Sequence, residues 1–101
     1  MKKTFLLTSE RIKPERQVDA VKSEIRKYIK RERKRELPKG TDFWDFDCRF
    51  GPDDIRNDEI HISAINKAID EAVSDQLKSF YLEVIAKAAT RIKKPVEDDD
   101  N

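Results

Sequence analysis

The sequence predicts a two-layer α+β sandwich, with two helices on one face of a small three- or four-stranded sheet, and three observations carry the prediction. Apolar residues recur at the helical period twice, from Val18 to Ile29 and from Ile65 to Val73. Two other stretches alternate apolar and polar residues at the period of a strand with one buried face. A short, β-prone apolar run opens the chain. The resulting order is β-α-β-(β)-α-β, which puts both helices on one side of the sheet. If the bracketed strand forms, the order matches the ferredoxin-like split βαβ pattern.

Residues 3–8 form the first expected strand, and the polar stretch to Lys13 and Pro14 closes it. Between Glu15 and Glu36, Val18, Val21, Ile25, Tyr28 and Ile29 make the buried stripe of a helix, and Leu37-Pro38-Lys39-Gly40 stops it. From Asp42 to Phe50, Trp44, Phe46, Cys48 and Phe50 share one face of a strand. Phe43, Asp45, Asp47 and Arg49 share the other. Gly51-Pro52-Asp53-Asp54 breaks the chain, and residues 59–62 are a candidate short strand pairing back through a long loop. Ser63 is the expected N-cap of a second helix with Ile65, Ala68, Ile69, Ala72 and Val73 inward, ending near Leu77. In residues 79–87, Phe80, Leu82, Val84 and Ala86 point inward, while Tyr81, Glu83, Ile85 and Lys87 point outward. One compact domain over 1–87 is therefore expected, followed by a charged, disordered tail from 88 to 101 that includes Pro95 and the acidic run Glu97 to Asp100.

The net charge of +1 conceals a division along the chain. Residues 1–39 hold 14 Lys and Arg against 6 Asp and Glu, a net of +8, and residues 40–101 hold 8 against 15, a net of −7. Much of the positive charge lies on the first helix. Opposite its buried stripe stand Lys22, Arg26, Lys27, Lys30, Arg31, Arg33, Lys34 and Arg35. Lys22, Arg26, Lys30 and Lys34 form one i, i+4 column, where like charges each cost a helix a few tenths of a kcal/mol. A surface that gathers cations at that cost is a candidate site for an anionic partner, nucleic acid or an acidic protein surface.

Other constellations carry less. Asp45 and Asp47 project from one strand face and, with Glu83 on a neighbouring strand, are a candidate divalent-cation or acid-base set. A cross-strand ion-pair ladder with Arg49, Lys87 and Lys3 explains the same residues. Phe43, Tyr81 and Ile85 on the face away from the helices are candidate protein-contact residues, including contacts between copies of the chain. Cys48 shares the core face with Trp44 and Phe46, which argues against a nucleophile paired with His61. A single cysteine excludes an intrachain disulfide, and two glycines exclude the glycine-rich phosphate loops. No stretch approaches the roughly 20 apolar residues of a membrane span, and a cytoplasmic location is expected. No cofactor and no enzymatic activity are expected.

The opening Met-Lys-Lys-Thr-Phe with Leu7 is one of several segments that carry a resemblance. The others are the run from Lys27 to Arg33, Asp42-Phe-Trp-Asp-Phe-Asp-Cys48 with Phe50-Gly51, and Asn66-Lys-Ala-Ile-Asp70. Together they resemble a family of small uncharacterised bacterial proteins over roughly residues 1–87. The resemblance implies a bacterial source and a compact domain of mixed helix and strand, and carries no activity with it.

Overall fold

The computed structural model describes residues 1–91, and the expected acidic run Glu97 to Asp100 lies outside them. The elements are β1 (Lys2–Leu6), α1 (Pro14–Arg33), β2 (Phe43–Gly51), β3 (Asp58–Ile60), a 3-10 turn (Ile62–Ala64), α2 (Ile65–Ser74) and β4 (Ser79–Ala89). The bracketed strand is real. It pairs antiparallel with β2, setting Cys48 opposite Ile60 and Phe50 opposite Asp58.

All neighbouring strands are antiparallel, in the order β1-β4-β2-β3. Each βαβ unit is therefore split by a strand of the other: β4 lies between β1 and β2, and β2 lies between β4 and β3. The closing strand of each unit, β4 and β2, holds the centre, whereas a ferredoxin-like sheet places the opening strands there. β4 is flanked on both sides, which is why Phe80, Leu82 and Val84 are fully buried. A fully buried apolar side chain of this size contributes about 1.5–3 kcal/mol. Phe80 stacks between Phe5 and Phe50, with ring centroids 5.4 and 4.8 Å away. α1 closes the core from above with Val21 and Ile25, and α2 with Ile65, Ile69 and Ala72.

Local chemistry explains where the elements start and stop. α1 begins on Pro14 without a side-chain cap; proline suits the first helical position, where its missing N–H leaves one donor fewer unpaired. It ends at Arg33, short of the expected Glu36: the N–H groups of Lys34 and Arg35 turn to the carbonyls of Arg31 and Glu32, three residues back, and the indole Nε1 of Trp44 donates to the Arg35 carbonyl at 2.9 Å. Ser63 does not cap the second helix: the N-cap of α2 is Ala64, without a side-chain bond, and His61 caps the 3-10 turn ahead of it. The His61 ring accepts the Ser63 backbone N–H, and the 3-10 turn leads into α2. α2 stops at Ser74 in a Schellman arrangement, with Leu77 N–H donating to the Ala72 carbonyl and Gln76 N–H to that of Val73. Gln76 occupies the left-handed position, φ 60°, that glycine usually fills. β4 runs two residues beyond the expected domain boundary at 87.

At the end of β2, a Cβ on Gly51 would stand 2.1 Å from the Arg56 carbonyl oxygen, so only glycine lets the following turn lie so close. That turn is internally tied. Asp53 accepts from the backbone N–H groups of Ile55 and Arg56 and from the Arg56 guanidinium, which holds its carboxyl below the usual range. Arg49 anchors the far side of the turn through Asn57, at 2.6 and 2.8 Å.

Candidate anion-binding groove

α1 has twenty residues and spans about 30 Å, whereas α2 has ten and spans about 15 Å. The two helices run antiparallel, so the C-terminal half of α1 extends past the start of α2, where only the 3-10 turn stands beside it. An open groove of about 580 Å³ results. Ile25 and Ile29 from α1 and Ile62 and Ile65 from the other side supply its apolar lining. Lys22, Arg26, Lys30, Arg33 and Lys34 line the α1 wall, Ser63 and Asn66 the opposite one, and among the described residues no carboxylate lines the groove.

The eight cations anticipated on α1 are thus divided by the structure. Five line the groove, while Lys27 and Arg31 stand exposed on the neighbouring helix face. Arg35 lies outside the helix, paired with Glu32 at 2.8 Å and with its guanidinium 5.0 Å from the Trp44 ring centre. Arg31 and Arg33 similarly lie over Tyr28 and Phe46, at 5.4 and 5.5 Å. These contacts are within cation–π range and fix the guanidinium groups without neutralising them. Lys22 reaches Asp70 at 2.6 Å, a bridge between the helices that marks the inner end of the groove. Beyond it lies a second hollow, of about 810 Å³, floored by Leu7, Val18, Val73 and Leu77 and edged by both signs of charge. The opposite wall of the basic groove was not anticipated as part of a site. Its only sequence signal is Ile62, an apolar residue just ahead of the α2 stripe.

The other candidate sites come apart. The register sets Asp45 opposite Lys87 and Asp47 opposite Ile85, while Glu83 faces Arg49 and Lys2. Asp47 pairs with Lys87 at 2.9 Å, the Lys87 ammonium being held above its usual pKa by that carboxylate. This is part of the ladder reading. Among the described residues, no group of three His, Cys, Asp or Glu comes together to hold a metal ion.

Tyr81 is not an exposed contact residue but is 7% exposed. It pairs with Gly51, so the turn after Gly51 lies beside it on the open face, and its hydroxyl donates to Glu83 at 2.7 Å. That bond, then burial, then the Glu83 and Asp54 charges raise its pKa. Phe43 is half-buried, near the Arg91 guanidinium, and Ile85 remains exposed. Cys48 is buried, and its thiol is pushed up to about 11 by burial first, then by the Asp47 and Asp45 charges. No helix of the described residues is long and apolar enough to cross a membrane.

No curated protein and no solved structure matches the chain. A family model does match, over residues 1–95, and with nearly the whole chain covered the protein belongs to the family of unknown function DUF6172.

Proposed function

We propose that this protein is a non-enzymatic binding module that docks an anionic macromolecule along the C-terminal half of α1. One observation carries the reading: five cationic side chains line a single open groove, Lys22 at its inner end bridged to Asp70, and among the described residues no carboxylate is part of its lining. The partner is RNA, DNA, a ribonucleoprotein or an acidic protein surface. Clustered Lys and Arg bind phosphates with release of counterions, so affinity for a nucleic acid falls steeply as salt rises.

The test is fluorescence anisotropy of labelled single-stranded RNA, duplex DNA and polyglutamate at about 50 and about 200 mM salt. Binding of at least one polyanion at the lower salt, weakened at the higher, is expected. The double change Lys30→Glu with Lys34→Glu should remove it while leaving the circular dichroism spectrum intact. Binding that survives this charge reversal would place the site elsewhere.

A further inference from the structure

Resting on that reading of α1, we infer that the groove receives an acidic amphipathic helix of a partner protein. The cations serve any polyanion; the lining between them is what discriminates. Ile25, Ile29, Ile62 and Ile65 form it, and no aromatic residue does. Single-stranded nucleic acids gain affinity by stacking bases on aromatic side chains, which this groove lacks. A duplex presents sugar and phosphate to a cationic surface and would leave the isoleucines unfilled.

An amphipathic helix uses both features. Its apolar residues at i, i+3 or i+4 and i+7 enter the groove while its flanking carboxylates meet the rim. Arg26, Lys30 and Lys34, beyond the Lys22–Asp70 bridge, recur every four residues, a step of about 6 Å, and carboxylates four apart on a neighbouring helix recur at the same step. The floor is also incomplete as it stands. Ile29 and Ile62 are only half-buried, at the place where α1 has no helix beside it. A third helix laid there continues the upper layer and covers them.

The experiment uses the full chain and three labelled probes in fluorescence anisotropy. The first is a helical peptide of about 16 residues, long enough to run about 24 Å along α1, with leucines at i, i+3 and i+7 and glutamates around them. The second replaces its leucines by glutamine, and the third is single-stranded RNA of comparable length. At about 200 mM salt, where pure charge attraction is weakened, the leucine peptide should bind at least about tenfold more tightly than either control. Ile62→Ala should weaken the leucine peptide severalfold and leave the glutamine peptide unchanged. Lys30→Glu with Lys34→Glu should weaken all three. If the glutamine peptide or the RNA binds as tightly as the leucine peptide, the amphipathic-helix inference is overturned and the anion-docking reading stands. If none binds even at about 50 mM salt, both fall.

Discussion

Gln76 shows how much can rest on one backbone angle. A non-glycine residue in the left-handed region costs about 1–2 kcal/mol, and here it is held there by the hydrogen bonds that end α2. Gln76→Gly removes the strain but adds freedom to the unfolded chain, so a net gain of up to about 1 kcal/mol is expected. That is a rise of a few degrees in Tm. A melting curve that is unchanged or lower would show that the Gln76 side chain contributes something glycine cannot. Cys48 makes a second prediction. Its folded pKa, about 11, lies above the unfolded value near 9, so the unfolded chain loses its thiol proton first as pH rises. Stability is therefore fully present below about pH 9 and falls between there and about pH 11, by about 2–3 kcal/mol at most. Comparison with Cys48→Ala in urea melts at about pH 8 and about pH 10 isolates this loss from the titrations of Tyr81 and Lys87. Parallel pH curves for the two proteins would refute it.

Among the elements, the end of α1 is the informative one. Its last turn gathers cations, and just beyond it the indole of Trp44 from β2 donates to the Arg35 carbonyl. Trp44→Phe keeps a ring for Arg35 to lie over and removes that hydrogen bond. A loss of about 0.5–1.5 kcal/mol is expected. Faster hydrogen exchange should be confined to the amides of residues 31–35, and exchange that speeds equally along the whole helix would mean that packing, not the bond, had been lost. The groove depends on this junction as well, because Arg33 and Lys34 sit two residues and one residue before the carbonyl that Trp44 holds.

For the whole molecule, the sheet face away from the helices is mixed rather than apolar. Burial of Tyr81 leaves Leu6 and Ile85 as the exposed large apolar residues of its strands, with Ile55, more exposed than either, in the turn beyond Gly51. Leu6 pairs with Ser79, six residues before Ile85 on β4 and so about 20 Å from it. Asp47 and Lys87, joined by a salt bridge, stand beside Ile85. Edge strand β1 opens with two lysines, and edge strand β3 is three residues long and opens with two acids, features that discourage strand pairing between molecules. Sedimentation at high concentration is therefore expected to give a monomer through this face, with Ile85→Glu leaving the mass unchanged. A dimer dispersed by Ile85→Glu would restore the open face as a contact surface.

The sequence by itself determined the elements and their buried faces, because periods of two and of about 3.6 are local properties written in the order of apolar residues. Val21, Ile25, Phe46, Cys48, Phe80, Leu82 and Val84 lie in the core where periodicity placed them. The cationic face of α1 was legible for the same reason, as was the inert environment of Cys48. Which strands are neighbours was not, since pairing is a relation between distant segments: the register alone separated Glu83 from Asp45 and Asp47, and the turn beyond Gly51 buried Tyr81. The groove likewise needed the tertiary structure. Its cations could be read along one helix, but its floor and second wall exist only because a short α2, entered through a 3-10 turn, leaves half of a longer α1 without a helical neighbour.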